Sequence, residues 1–261
     1  MMAAIKACNV SVLYDEKEVL KSVNIDIKPK GITTIIGPNG SGKTTLIKVL
    51  SRCLKPSKGS VYLFGEDIRG IDTKTIATRM AILPQIRHLS WDITVETLVS
   101  HGRFPHLGFR QKLSKKDKEI VEWSMEKTGI LSLRQREVMT LSGGEKQRAW
   151  IAMTLCQKTE ILILDEPTTF LDISYQLEIL ELIKELNESL GLTVIIVLHD
   201  LNQAARYSDF IYVMDEGSIR EWGSPRRILR ADLIRDVFNI ESHVYEDEIN
   251  QCLYFIPEKR V

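Results

Sequence analysis

Two glycine-rich stretches of this sequence have the residue types that bind phosphate. The first, GPNGSGKTT, runs from Gly37 to Thr45 and fits the pattern G-x-x-x-x-G-K-[ST]. The second, LSGGEKQR, runs from Leu141 to Arg148. Each precedes a segment with helical spacing, so each would offer backbone N–H groups at a helix N-terminus, with no Cβ in the way. The presence of two such loops in one chain requires an explanation.

The first loop lies in the context that its pattern demands, after a predicted strand, ITTII, and before a predicted helix. We expect the N–H groups from Asn39 to Thr44 to surround a β-phosphate, aided by roughly half a positive charge at the helix N-terminus. Lys43 would reach the β- and γ-phosphates, and the Thr44 hydroxyl would ligate Mg²⁺. The alternative, a chance glycine turn with an exposed lysine, is disfavoured by the correct flanks. The predicted nucleotide-binding residues here are Gly37, Pro38, Asn39, Gly40, Ser41, Gly42, Lys43, Thr44 and Thr45.

Two acidic residues follow another apolar run, ILIL, at the point where a buried strand should end. Ligands of α/β sheets bind at the carboxyl ends of the strands. We therefore expect Asp165 to hold Mg²⁺ through water, and Glu166 to orient and deprotonate an attacking water. Such a base contributes ~10²–10⁴ in rate. The alternative for Glu166, a helix-start or solvent-facing acid, is disfavoured by the phosphate loop upstream.

Two further polar residues end predicted strands. His199 follows TVIIVL, whose strand should lie parallel to the one that ends at Asp165, so we expect His199 to contact a γ-phosphate. Gln85 follows MAILP and should reach the same edge. A lone histidine at a strand end is more often structural, and a loop amide is a weak signal, so both predictions depend on the motifs around them.

The elements that must carry these residues can be predicted from hydrophobic periodicity. IKACNVSVLY and VLKSVNIDI alternate apolar and polar residues, which is typical of a half-exposed antiparallel sheet. From about Trp91 to Lys158 the pattern is helical, and after that buried strands alternate with helices, which indicates parallel β-α-β units. We predict an α/β P-loop NTPase core with an N-terminal antiparallel β subdomain and an inserted α-helical subdomain. The predicted divisions are 1–90 and 159–222 for the core, 91–158 for the helical subdomain and 223–261 for a tail of short helices and a hairpin.

Composition argues against several classes of protein. The 261 residues carry 35 Lys+Arg and 35 Asp+Glu, so a formal net charge of +0 gives no basis for binding nucleic acid or an anionic membrane. There is no signal-peptide core, and no apolar run approaches the ~18 residues of a membrane span, so we expect a soluble chain that is not exported. The cysteines form no CxxC pair. We expect reduced thiols, with Cys53 and Cys156 buried among apolar helical residues.

Six motifs in order make this sequence resemble the ATP-binding-cassette (ABC) ATPases. They are GPNGSGKTT as Walker A, LPQ as Q-loop, LSGGEKQR as signature, ILILDEPTT as Walker B, FLD as D-loop and VLHD as H-loop. The resemblance spans roughly Ile5 to Trp222. In that family two subunits face each other head to tail, and ATP lies between the Walker A of one and the signature of the other. The resemblance thus implies that the second glycine loop serves the nucleotide of a second copy of the chain.

The resemblance also implies roles for single residues. Tyr14, near the end of the first strand, matches the aromatic residue that lies against adenine. Asp172 matches the D-loop aspartate that crosses to the second copy, and Gln85 matches the residue that links Mg²⁺ and water to the transport domain. The residues implied to bind the γ-phosphate held by the other copy are Ser142, Gly143 and Gly144.

Within the family, ITVETLVSHGRFPHLG, RAWIAMTLCQ and DEPTTFLDISYQ resemble the ATPase subunits of importers for iron–siderophore complexes and related metal chelates (cobalamin, haem). That resemblance implies ATP and Mg²⁺ as cofactors and a homodimer that hydrolyses ATP. It implies a polytopic membrane permease, whose coupling helix is received near GRFPH, and a substrate-binding protein as an indirect partner. It also implies a cytoplasmic location, peripheral on the inner face of the cell membrane through the permease.

Other ATPases remain as alternatives. A soluble ABC ATPase without a permease, of the iron–sulfur assembly, translation or repair type, would share the motifs, as would an importer ATPase for another substrate. A repair-type ATPase should show long coiled-coil heptads, and none are visible. A P-loop kinase or GTPase would not need LSGGEKQR, and an exporter subunit would usually be fused to its membrane domain.

Overall fold

The computed structural model describes residues 2–85, 93–108 and 112–261. The strands are β1 (Ile5–Tyr14), β2 (Lys17–Ile27), β3 (Ile32–Ile36), β4 (Lys58–Leu63), β5 (Glu66–Asp67), β6 (Met80–Leu83), β7 (Ile161–Asp165), β8 (Thr193–Val197), β9 (Phe210–Asp215), β10 (Ser218–Gly223), β11 (Ile240–Asp247) and β12 (Cys252–Arg260). The helices are α1 (Lys43–Leu50), α2 (Thr73–Arg79), α3 (Val95–Ser100), α4 (Lys115–Lys127), α5 (Gly143–Cys156), α6 (Ile173–Leu190), α7 (Leu201–Tyr207), α8 (Pro225–Ile228) and α9 (Ala231–Phe238).

The chain forms two compact units. The first contains the residues up to Ile71 together with Thr193–Val261, and the second contains Asp72–Leu192. The predicted boundary between residues 90 and 91 lies outside the described residues. The four divisions expected from the sequence therefore stay a prediction.

The first unit contains an antiparallel sheet in the order β2-β1-β4-β5, which confirms the predicted antiparallel subdomain. It also contains β3, which pairs in parallel with β8 on one side and β9 on the other. Every residue of β3 and β8 is buried, because these short runs are apolar or β-branched on both faces. β3 leads directly into the phosphate loop and α1.

The C-terminal part of the first unit contains the β9–β10 strand pair, the short helices and the hairpin of β11 and β12. The Asn202 side chain, in α7, donates to the carbonyl of Phe255 (3.2 Å) and accepts from the N–H of Phe255 (2.8 Å). The Asn202 amide therefore makes the same pair of hydrogen bonds to β12 that a residue of a neighbouring strand would make. This pair of hydrogen bonds attaches the hairpin to the helix that follows His199.

In the second unit, β6 and β7 pair in parallel, from Met80 opposite Ile161 to Leu83 opposite Leu164. Parallel neighbours need a crossover connection, and here α3, α4 and α5 lie between them in sequence. The three helices share an apolar core, which confirms the inserted helical subdomain. Its buried members are Val95, Leu98, Val99, Val121, Met125, Ile130, Val138, Leu141, Ala149, Ala152 and Cys156.

A 3₁₀ turn over His101–His106 ties two of these helices together. Arg103 in this turn is buried, and its Nε donates to Asp117 Oδ1 of α4 (2.9 Å). Its Nη1 donates to the carbonyl of Cys156 (2.8 Å) at the end of α5, where helix carbonyls lack intrahelical partners. Hydrogen bonds from Ser114 and Arg103 hold the pKa of the Asp117 carboxyl below its ordinary value. The guanidinium is therefore a buried link between α4 and α5.

Three local predictions from the sequence are wrong. Cys53 is exposed, because α1 ends at Leu50 and a turn follows it. The strands predicted up to Gln85 and up to His199 end at Leu83 and at Val197. Cys156 is buried as predicted, and burial raises the pKa of its thiol to about 11. No helix formed by the described residues has the length and hydropathy needed to cross a membrane.

Replacing Arg103 with Met should lower the free energy of unfolding by roughly 3 kcal/mol, because Asp117 loses its charged partner in a buried site. Urea unfolding followed by circular dichroism measures this change. Arg235→Met is the matched control, since Arg235 pairs with Asp236 but both side chains are about half exposed. Exposed pairs contribute little. An equal loss of stability in the two variants would contradict the role assigned to Arg103.

Candidate functional site

The phosphate loop of the first unit occupies Gly37–Gly42, and α1 begins at Lys43. Lys43 is buried, and its ammonium donates hydrogen bonds to the carbonyl oxygens of Gly37 (2.8 Å) and Pro38 (2.9 Å). The cation is therefore folded back onto the loop, where two carbonyl oxygens accept its hydrogen bonds. A phosphate oxygen, which carries negative charge, is a stronger acceptor for an ammonium than a carbonyl oxygen.

The N-terminus of α1, with Thr44 and Thr45 in its first turn, has no side-chain cap because its N-cap is Gly42. Gly42 has a φ of +99°, and a Cβ there would lie 3.1 Å from the carbonyl oxygen of Val19. Glycine is therefore required, and the helix start is left without a capping side chain that would compete with an anion. Within the described part of the chain, Ser41 Oγ is buried with no hydrogen-bond partner. A buried hydroxyl without a hydrogen-bond partner suits a site in which a bound ligand supplies that partner.

Two predicted site residues of the first unit lie outside the loop. Tyr14 is the last residue of β1, pairs with Lys17 of β2 and is 45% exposed, so part of its ring faces solvent. His199 comes two residues after β8, and the next residue, Asp200, caps α7 by accepting hydrogen bonds from two N–H groups of the first turn. His199 is therefore positioned by the turn between β8 and α7.

In the second unit, the acidic pair lies at the end of β7. Asp165 is the last residue of the strand and is buried. Glu166 is 8% exposed and has a φ of +51°, which is uncommon for a residue with a Cβ. The amide Nε2 of Gln85 and the hydroxyl of Thr169 both donate hydrogen bonds to Oε2 of Glu166, the latter at 3.1 Å. A carboxylate oriented in this way can accept a proton from a water.

Two side chains of the signature loop cap the N-terminus of α5. Ser142 is the N-cap, and its Oγ accepts a hydrogen bond from the N–H of Glu145 (3.3 Å). The N–H of Ser142 donates to Oε2 of Glu145 (2.8 Å), which completes a capping box. These hydrogen bonds from Ser142 lower the pKa of the Glu145 carboxyl. Because a hydroxyl that accepts one hydrogen bond still has a proton to donate, capping is compatible with a phosphate contact by Ser142.

The signature glycines pack on the start of α6. A Cβ on Gly144 would lie 2.3 Å from Cδ1 of Tyr175, and a Cβ on Gly143 would lie 3.3 Å from Cδ2 of Leu171. Asp172 is the N-cap of α6, and its carboxylate accepts a hydrogen bond from the N–H of Tyr175 (3.1 Å). Gly144 is therefore required by its close approach to the Tyr175 ring, independently of any ligand.

Two apolar side chains beside Asp172 are exposed. Phe170 is 99% exposed and Ile173 is 76% exposed. Large apolar side chains that stay exposed at neighbouring positions in the chain are a feature of protein contact surfaces. The D-loop therefore has the character of an interface.

Three features of the site are missed by reasoning from the sequence. Thr169 and Tyr175 lie within the stretches ILILDEPTT and DEPTTFLDISYQ, but the motifs give no indication of their contacts. Glu145 could have been recognised, because the spacing S-x-x-E before an apolar run is the pattern of a capping box. The roles assigned to the other site residues stay predictions.

Comparison with known proteins identifies the family. The profile of the ABC transporter family matches residues 20–169. The petrobactin import ATP-binding protein FpuC of Bacillus anthracis is 43% identical over 94% of this chain and 90% of its own length. The ferric enterobactin transport ATP-binding protein FepC of Escherichia coli K12 is 42% identical over 98% of this chain and 94% of its own.

Solved structures agree with this assignment. Dimeric MJ0796, a bacterial ABC transporter cassette, superposes with a TM-score of 0.75 and 28% identity over 85% of this chain and 99% of its own. The family profile and the relatives cover both glycine-rich loops and the acidic pair. The chain therefore belongs to the ABC transporter family, as an ATP-binding subunit that hydrolyses ATP.

Proposed function

We propose that this chain powers the import of an iron–siderophore complex, or of a related metal chelate, through a separate membrane permease. The observation that carries the hydrolytic role is the Glu166 carboxylate, buried after β7 with two side-chain donors on one oxygen. Support for the substrate class comes from FpuC and FepC, a petrobactin import and a ferric enterobactin transport protein that match nearly the whole chain.

The oxygen groups assigned to the metal suit Mg²⁺. This ion prefers oxygen ligands, keeps several waters and binds through one or two carboxylates together with substrate phosphates. The Thr44 hydroxyl in the first unit, and the Asp165 carboxylate and Gln85 amide oxygen in the second, are donors of this type. Asp165 is only 3% exposed, and buried carboxylates are paired or coordinate metals. When bound, the ion would supply charge neutralisation on the phosphates.

In this proposal, different residues of the chain bind the phosphates, bind the adenine and activate the water. Lys43 would exchange the loop carbonyls for the β- and γ-phosphates, and the loop N–H groups would hold the β-phosphate. Glu166 would take a proton from the water that attacks the γ-phosphate. His199 would contact the γ-phosphate, and Tyr14 would lie against the adenine.

We propose that a second copy of the chain completes each site. The N-terminus of α5 offers Ser142, Gly143 and Gly144, but no lysine follows the glycines directly, so it suits a second contact on the γ-phosphate and not a first binding site. ADP cannot make that contact, so ATP would shift the population toward the closed dimer. The exposed Phe170 and Ile173 provide apolar area for the contact between copies, and the dimeric MJ0796 cassette supports the arrangement.

The 3₁₀ turn of GRFPH is the proposed contact with the permease. Phe104 is 59% exposed and stacks on His101, while Arg103 of the same turn is anchored to α4 and α5. A rigidly held turn with an exposed aromatic side chain is suited to receive a coupling helix. The chain would thus lie at the cytoplasmic face of the cell membrane, held there by the permease, and would meet a substrate-binding protein only indirectly.

Glu166→Gln should bind ATP but lose hydrolysis by about 10²–10⁴-fold, because the amide cannot take the proton of water. It should also form an ATP-dependent dimer, since the closed state is no longer reopened. Phosphate release and size-exclusion chromatography with light scattering measure the two effects. Glu188→Gln, at an exposed position near the end of α6, is the matched control and should hydrolyse normally. Wild-type turnover by a monomeric Glu166→Gln protein would refute the assignment of the base.

Ser142→Arg should keep ATP binding but lose dimer formation and hydrolysis, because the bulky cation occupies the surface that meets the partner's nucleotide. Titration with a fluorescent ATP analogue measures binding, and phosphate release measures turnover. Ser189→Arg, near the end of α6, is the control for an added surface cation. Loss of ATP binding in Ser142→Arg would show that the serine acts within its own chain.

Phe104→Glu should abolish recovery of a polytopic permease when tagged chain is purified from detergent-solubilised membranes of its host, because a buried carboxylate is costly at an interface. Tyr245→Glu, on the exposed hairpin, should leave recovery unchanged. Mass spectrometry identifies the proteins that co-purify. Recovery of soluble partners only by the wild-type chain would contradict the import function, whatever the variants do.

A further inference from the structure

Thr169, the last residue of ILILDEPTT, contacts the carboxylate that we assign as the base, and the sequence predicts no role of its own for it. Its hydroxyl donates to Oε2 of Glu166 at 3.1 Å. The same oxygen receives the amide of Gln85. Two donors therefore lie on one oxygen of the carboxylate, and they come from opposite directions in the sequence, one before β7 and one after it.

The backbone places this hydroxyl. Glu166 is in the left-handed region, with a φ of +51°, so the chain turns sharply after β7. The N–H of Thr169 then lies 3.4 Å from the carbonyl oxygen of Glu166. Because threonine is β-branched, its χ1 has few allowed values, and the hydroxyl has little freedom once the backbone is set. The turn therefore presents a rigid donor to a flexible carboxylate.

A glutamate needs such help more than an aspartate would. Its side chain has three rotatable bonds, and the terminal torsion of the carboxylate is broad. Two donors on Oε2 restrict the rotation of these bonds, and they thereby restrict the direction in which Oε1 lies. Orientation of a reacting group is a large part of its catalytic effect.

We infer that Thr169 is a positioning residue for ATP hydrolysis: its hydroxyl holds Oε2 of Glu166 so that Oε1 receives the proton of the attacking water. The inference rests on the proposed role of Glu166 as the base. In the balanced step, the water's O–H bond breaks, its proton goes to Oε1, and its oxygen forms the new bond to the γ-phosphorus as the bond to the β–γ bridging oxygen breaks.

The Thr169 hydroxyl differs from the Gln85 amide in what determines its position. The Gln85 amide has an oxygen as well as the Nε2 that contacts Glu166, and we assign that oxygen to Mg²⁺, so its position depends on the metal. The Thr169 hydroxyl is attached to the same turn as Glu166, three residues away. It would therefore hold the base in every state of the nucleotide, including states in which Gln85 has moved.

The test compares Thr169→Val, which keeps the shape but removes the hydroxyl, with Thr169→Ser, which keeps the hydroxyl. Thr169→Val should lower kcat about tenfold, the effect of raising the barrier by ~1.4 kcal/mol, with KM for ATP unchanged. Thr169→Ser should recover kcat to within about threefold of wild type, since serine keeps the donor but is less restricted at χ1. Thermal melting of each variant, with Thr169→Ala as an alternative if Thr169→Val does not fold, checks that the protein is intact.

A double-mutant cycle distinguishes positioning from a structural role. In the Glu166→Gln background, Thr169→Val should cause no further loss of hydrolysis, because the hydroxyl acts through the carboxylate. Wild-type kcat in Thr169→Val, with Glu166→Gln inactive, would overturn this inference and leave the proposed function standing. Wild-type turnover by Glu166→Gln would instead overturn the proposed base itself. A further loss in the double variant, or a rise in KM, would mean that Thr169 supports folding or ATP binding and not the base.

Discussion

A polyphosphate carries several negative charges, and in the proposed site backbone N–H groups at two helix N-termini would meet them together with Lys43. The two helix starts differ in one respect that governs the rest of the site. α1 begins at a glycine with no side-chain cap, whereas α5 is closed by the capping box of Ser142 and Glu145. The first is open to an anion from the outset. The second already satisfies two of its own backbone N–H groups, so it can serve as a weaker, additional contact.

Close packing within the chain requires glycine in both loops. Gly42 passes over the carbonyl of Val19, and Gly144 lies against the ring of Tyr175. In each case there is no room for a Cβ, so the loop backbone packs directly on neighbouring residues of the chain. The D-loop shares this support, because the N–H of Tyr175 is bound by the Asp172 carboxylate. The signature and the D-loop are therefore parts of one packed surface.

The buried acidic groups follow from the same architecture. A parallel strand that is apolar on both faces delivers its last residues to a protected edge, and β7 does this for Asp165 and Glu166. Burial of a carboxylate is costly unless donors reach it, and Gln85 and Thr169 supply donors to Glu166. In the helical part of the second unit, Arg103 meets the same requirement by joining Asp117 to the end of α5. Both clusters combine a local turn with a partner distant in sequence.

Much of this protein was determined by the sequence itself. Period-2 alternation and short apolar runs predicted the sheets, helical spacing predicted the insertion, and six motifs in order predicted the family. These features depend on neighbours in the chain, so they can be recognised without coordinates. What only the tertiary structure decided depends on backbone conformation or on distant contacts. Thr169 reaches Glu166 because a residue with a Cβ takes a positive φ, which no propensity would favour. Tyr175 lies under Gly144 because α5 packs on the start of α6, and Cys53 is exposed because α1 stops at Leu50.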